Sequence, residues 1–185
     1  HKLSVRLSLI VFIVNLITLS LASAVWAQTG SADTTVAFAA EDSSGMMPDR
    51  VIEHDAFRVG ESLKYVLRYG RISAGHSRLS IPEVQEHKGR PVLLIRSEAW
   101  SNSFFSRLYK VEDKIEALVD ERGLFTWRVE KRLREGKYKQ DFAAYYDQEK
   151  NLAYLHDDTL EVPPMVLDPL GAMYFVRTQD FAPGD

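Results

Sequence analysis

The chain has 185 residues, 45% hydrophobic and 26% charged, with a formal net charge of −3 and no cysteine. That balance describes one ordinary globular domain. It excludes a disulfide framework, a thiolate nucleophile and cysteine metal ligands, and the acidic surplus argues against nucleic acid as a partner.

The sequence begins at His1, and its first 27 residues read as an export signal. Lys2 and Arg6 precede an apolar run from Leu7 to Leu21, and Val25-Trp26-Ala27 supplies small residues for cleavage before Gln28. A cut after Ala22-Ser23-Ala24 is an alternative. An uncleaved membrane anchor competes with both, because the run is long for a signal. No cysteine follows, which argues against a lipid anchor. Cleavage leaves 21 basic and 26 acidic residues, a net charge of −5. No later run approaches spanning length, so no membrane span is expected after cleavage. An exported chain without disulfides fits the periplasm of a bacterium. Residues 28–50, rich in Ala, Ser, Thr, Asp and Gly without a period, read as a flexible spacer before a domain over 51–185.

The strongest local signal lies between Phe57 and Ile81. Leu63, Tyr65, Leu67 and Tyr69 alternate with Lys64, Val66 and Arg68, the period of a strand with one buried face. Gly70 breaks the run, and Gly75, Ser77, Leu79 and Ile81 share a face on the strand that follows. The hairpin's inward face thus changes from bulky to small around Gly75. Pro82 to Arg90 reads as a polar loop. Arg90 to Trp100 forms a third strand, with Leu93, Ile95, Ser97 and Ala99 on one face. Ser103 is placed to cap one helical turn bearing Phe104, Phe105 and Leu108. Val111, Asp113, Ile115, Ala117 and Val119 alternate on a fourth strand, and Phe125, Trp127, Val129, Lys131 and Leu133 on a fifth.

Glu135-Gly136 predicts a tight turn with glycine at positive φ. Tyr138 to Tyr146 is a sixth strand, Asp147 to Asn151 a turn, and Leu152 to His156 a short seventh. After a loop with Pro163 and Pro164, Asp168-Pro169 places a cap and a first-turn proline at the head of a helix running to about Thr178. The expected fold is mainly β: an antiparallel meander curled into a barrel or half-barrel, with one short C-terminal helix. Ending at Pro183-Gly184-Asp185, it reads as truncated before the closing strands.

Several of these pieces recur together: Phe57-x-Val59-Gly60-Glu61-x-Leu63-x-Tyr65, Gly70-x-Ile72-x-Ala74-Gly75 with Leu79, and Tyr109-x-Val111-x-Asp113. With Glu135-Gly136-x-Tyr138 and Asp168-Pro169-Leu170 followed by Tyr174 and Arg177, they resemble the exported bacterial family known as domain of unknown function 3108. The resemblance spans about Phe57 to Gly184. It implies a β-rich envelope protein whose relatives continue with further strands, and it supplies no catalytic residues.

The candidate ligand-binding residues are Glu61, Arg96, Glu98, Asp113, Trp127, Tyr174 and Arg177. Glu61, beside Gly60, either meets a ligand head group at a barrel mouth or accepts turn amides. Asp113 shares a face with Val111, Ile115 and Val119, and a buried carboxylate must be paired or neutral. Arg96, Arg128 and Arg177 are its candidate partners, and Arg177 on the last helix is expected to meet Asp113 or Glu98. Trp127 and Tyr174 belong to an aromatic complement that either lines a cavity or fills a curved sheet. The basic residues Arg128, Lys131, Arg132, Arg134, Lys137 and Lys139 surround a hairpin, where they either meet anionic groups or protect an exposed edge.

His156-Asp157-Asp158 is one turn and not a ligand set, so no metal is expected, nor any cofactor. The sequence carries no phosphate loop, nucleophile elbow or zinc-helix motif, and no catalytic residue is assigned. The leading expectation is a non-catalytic periplasmic binding or scaffold domain for an apolar or lipid-like ligand. A hydrolase or lyase of envelope glycans, using Asp113, Glu98 or Glu61, is the first alternative. An interaction module with an envelope protein partner is the second.

Overall fold

A computed structural model describes residues 49–182, within the compact unit Asp42–Asp185. The expected export signal, nearly all of the expected spacer and the final Pro183-Gly184-Asp185 turn lie outside the described residues. Eight strands run β1 (Ser62–Tyr69), β2 (Ile72–His87), β3 (Arg90–Ser101), β4 (Glu112–Asp120), β5 (Thr126–Glu135), β6 (Tyr138–Asp147), β7 (Leu152–Leu155) and β8 (Asp158–Glu161). A 3₁₀ turn, Phe105–Arg107, lies between β3 and β4, and one helix, α1 (Pro169–Val176), follows β8. Each strand pairs antiparallel with the next, so the order in the sheet is the order in the sequence. The sheet is open, as a half-barrel requires. Among the described residues no helix is long and apolar enough to cross a membrane.

The turns follow backbone chemistry. Gly70, Gly89 and Gly136 close the β1–β2, β2–β3 and β5–β6 hairpins at positive φ. Gly75 is demanded by packing: a Cβ there would lie 2.4 Å from the Trp100 carbonyl oxygen on β3.

Four sequence expectations need correction. The region after Pro82 is not a loop, because β2 continues to His87. A register shift between Ser80 and Glu83 takes up Pro82, which has no N–H to give a ladder. The segment after His156 is not a loop either. Leu155 pairs with Asp158, His156 turns at a φ of 41°, and β8 follows as a fully exposed edge strand. With no apolar side to bury, β8 leaves no alternation to read. Third, Asn102 rather than Ser103 caps the short turn, its side-chain oxygen accepting from the Phe105 N–H at 2.9 Å.

The fourth correction is Trp127. A bulge pairs Leu118 with Arg128 and Val119 with Thr126, leaving Trp127 between them. It therefore does not share a face with Val129. It packs with Val92 and Phe125, against Leu118 and Met165, in a small cluster on the other side of the sheet.

The main core lies on the face that α1 covers, called the inner face below. Leu79, Ile81, Leu93, Ile95, Ala117 and Val119 meet Leu170 and Tyr174 of the helix there, with Phe57 from the segment before β1. Tyr174 is completely buried and stands edge-on to Phe57 at 4.8 Å. A side chain of that size withdrawn from water contributes about 2–3 kcal/mol.

Candidate functional site

Three polar clusters fix the ends of the inner face. The first joins the two extremities of the described fold. Gly60 donates to the Ile81 carbonyl, and Ile81 donates back to the Glu61 carbonyl, so the start of β1 is held against β2. The Glu61 carboxylate is thereby presented to the helix, where both guanidinium Nη atoms of Arg177 donate to it at 2.6 and 2.7 Å. The Tyr174 hydroxyl donates to the same carboxylate at 3.3 Å, and Arg177 also donates to the Ala56 carbonyl at 3.0 Å. Arg177 lies over both the Phe57 and Tyr174 rings. The hydrogen bond from Arg177 holds the Glu61 carboxyl below the ordinary carboxylate range, while burial pushes the Tyr174 phenol up. Three of the sequence candidates thus come together, but Arg177 meets neither Asp113 nor Glu98. Nor does the Glu61 carboxylate serve turn amides.

The second cluster sits under the head of α1. Asp168 caps the helix, accepting from the Leu170 and Gly171 N–H groups, and it also accepts from the Thr126 hydroxyl at 2.7 Å. The Asp168 N–H donates to that same hydroxyl oxygen, and Gln148 donates to the Thr126 carbonyl. All three side chains are buried. The helix cap was legible from Asp168-Pro169. Thr126 and Gln148 carried no signal, since only the fold brings them there.

The third cluster lies at the opposite end, where Asp113 finds another carboxyl instead of an arginine. Val111 bridges to Glu135, and β4 and β5 pair in register from Lys114 and Arg132, so Asp113 and Glu135 are diagonal neighbours on one face. Their exposures are 9% and 4%. Asp113 accepts from the Arg134 N–H at 2.8 Å, while one oxygen of Glu135 is buried without a partner. Burial, then the neighbouring Asp113 charge, pushes the Glu135 carboxyl up to about 7, and burial raises Asp113 as well. Two buried carboxyls this close titrate as a coupled pair, the second charge being the costly one. Arg96 and Arg128, the other proposed partners of Asp113, are engaged elsewhere.

Those arginines belong to the outer face. Arg96 donates to Glu116 at 2.7 Å, Arg78 to Glu98 at 2.9 Å, and Arg128 to Glu130. Arg134 reaches Asp141. Pairs of opposite charge such as these, between strands or, for Arg128 and Glu130, along one strand, suit a solvated sheet surface. Lys114, Glu116, Arg132, Asp141, Tyr145 and Tyr154 border a shallow outer groove of about 800 Å³. Lys131 and Phe142 also line it, although the register places them on the inner face with Ile115. Trp127 is buried beside His87 and Lys88, with its indole N–H unpartnered. Of the candidates, then, Arg96 and Glu98 lie on the outer face, Trp127 lies in the small cluster on that side, and Asp113 lies apart from both. Among the described residues no group of three or more His, Asp or Glu side chains is gathered so as to hold a metal ion.

Between the clusters, α1 covers one half of the inner face, and among the described residues no other element covers the second half. The uncovered half has a floor of small residues, Gly75 and Ser77 on β2 with Ser97 and Ala99 on β3. Tyr65 and Leu67 on β1 wall one side, 50% and 39% exposed. Ile115, Lys131 and Phe142 line up across β4, β5 and β6 on the other. Sequence reasoning listed Lys131 among surface cations, although its alternation with Val129 and Leu133 already placed it inward. No curated protein and no solved structure matches the chain. A match to the family described as protein of unknown function DUF3108 covers residues 64–185, and the chain belongs to that family.

Proposed function

We propose that the protein is an exported envelope domain that binds an apolar or lipid-like ligand without chemical change. The observation that carries this reading is the uncovered half of the inner face. Apolar walls stand on either side of a floor of small residues, an arrangement that leaves a trough where packing would ordinarily leave a filled core. Burying about 300 Å² of apolar ligand surface there contributes roughly 7 kcal/mol before association costs. That gross figure alone corresponds to a dissociation constant of about 10 μM, so tight carriage needs polar contacts or more buried area as well.

Native mass spectrometry of the protein gently purified from a bacterial envelope fraction tests the proposal. A reproducible added mass that organic solvent removes is expected. A clean apo mass would sink it.

A second reading rests on the outer edge of β1, which has no ladder partner among the described residues and exposes Tyr65, Val66 and Leu67. Such an edge can accept an extended strand from a protein partner. Crosslinking from a photoreactive residue at position 66 to a second polypeptide, with no ligand mass, would favour it. The alternative of a hydrolase or lyase needs two carboxylates in an open cleft. Asp113 and Glu135 are the two that meet, and both are buried.

A further inference from the structure

Lys131 stands on the inner face directly between Ile115 on β4 and Phe142 on β6. Its side chain is half-buried, and its ammonium lies 5.6 Å from the centre of the Phe142 ring. Among the described residues it has no hydrogen bond and no ion pair. The anion that favours its charge is Asp168, which is already taken up by the Thr126 hydroxyl and by the helix N–H groups. Burial works the other way and lowers the Lys131 pKa. A cation drawn into an apolar trough costs stability unless an anion meets it, and the ring contact offsets only part of that cost. Of the other hairpin cations, Arg128 and Arg134 pair with carboxylates of the protein, while Arg132, Lys137 and Lys139 are exposed to water.

Resting on the proposal of an apolar ligand, we infer that Lys131 anchors the carboxylate of a long-chain fatty acid. The register gives the path of the tail. One row of paired residues runs from Lys131 through Ile115, Ser97 and the buried Leu79 to Leu63, and the next runs from Asp113 through Ala99 and Ser77 to Tyr65. A tail leaving Lys131 therefore steps from the first row to the second. From β5 to β1 is four strand spacings, about 19 Å at about 4.8 Å each. A long acyl chain laid across the strands from Lys131 over Ala99 and Ser77 to Tyr65 fills that span. Its head sits where the unpaired charge is, and its tail covers the exposed aromatic wall. A carboxylate beside the ammonium also reverses the effect of burial on the Lys131 pKa.

The test is equilibrium binding of oleate and of uncharged oleyl alcohol to the delipidated full chain, with Lys131→Met and Lys131→Arg alongside. Methionine keeps the stem's bulk and removes the charge. Oleate is expected to bind the parent at least tenfold more tightly than the alcohol. Lys131→Met is expected to lose that preference, to bind the alcohol at least as well, and to melt no lower than the parent. Lys131→Arg is expected to retain oleate. Equal affinity of the parent for the two ligands, or oleate binding unchanged in Lys131→Met, overturns the anchor while leaving the apolar trough standing. A lower melting temperature for Lys131→Met without ligand, with no oleate preference in Lys131→Arg, overturns it too, because the lysine is then a structural partner. Failure of both ligands to bind the parent overturns the anchor and the trough together.

Discussion

The two halves of the inner face are built from the same strands and the same alternation, yet they solve opposite problems. Under α1, Leu79, Ile81, Leu93, Ile95, Ala117 and Val119 are buried against Leu170 and Tyr174, and the carboxylates at the margin, Glu61 and Asp168, have their donors in the protein. Two residues further along the same strands the side chains shrink to Ser77, Ser97 and Ala99, and Lys131 makes no ion pair among the described residues. The first half is finished by its own sequence. The second has the composition of a face that something else completes. Stability should therefore be concentrated under the helix, and ligand sensitivity away from it.

The largest effect is expected from Asp168→Ala. It removes the helix cap and leaves the buried Thr126 hydroxyl without its acceptor, so urea denaturation should show a loss of about 3 kcal/mol. Arg177→Met should cost about 2 kcal/mol at neutral pH, because Glu61 and the Ala56 carbonyl both lose a donor. Its pH signature is equally specific. Glu61 is held below its ordinary pKa, so its contribution is full above that value and is lost as pH falls through the depressed one. The variant's acid unfolding curve should be flatter over that range than the parent's.

Glu135→Gln acts in the other direction. The folded Glu135 pKa of about 7 lies above its ordinary value of 4.5. Its contribution is present below 4.5, declines as pH rises, and is gone above about 7. Melting temperatures measured across that interval should fall for the parent and hold nearly level for the glutamine variant, which keeps a donor for Asp113. The smallest stability effect is expected from Tyr65→Ser, under about 0.5 kcal/mol by denaturation, together with loss of any bound mass in native spectra. A Tyr65→Ser variant as unstable as Arg177→Met would break the contrast between the halves.

Much of this contrast was written in local patterns. The change from Leu63, Tyr65 and Leu67 to Gly75, Ser77 and Leu79 announced an inner face that turns from bulky to small, and the structure turns it into wall and floor. Asp168-Pro169 announced α1, and Gly136 its hairpin. What was not legible depended on a second element. A bulge one residue long sends Trp127 to the wrong side for its alternation. Arg177 had several inward carboxylates to choose from, and only the place where α1 docks selects Glu61. Glu135 looked like a turn residue because its proximity to Asp113 arises from the pairing of two strands. Thr126 and Gln148 are ordinary polar residues until Asp168 is brought between them. Edge strand β8 has no buried side, so hydrophobic periodicity had nothing to mark.

The strand order has a kinetic consequence. Because every strand pairs with the next in sequence, each ladder closes only a short loop of chain, the geometry associated with rapid folding. A sheet of this kind can zip from β1 onward as the polypeptide is delivered. The contact between Glu61 and Arg177 is of another order, spanning 116 residues, and it cannot form until α1 has arrived. Folding is thus expected in two stages: a fast meander whose inner face stays wet, then a slower docking of α1 that dries one half and ties its last turn back to the start of β1.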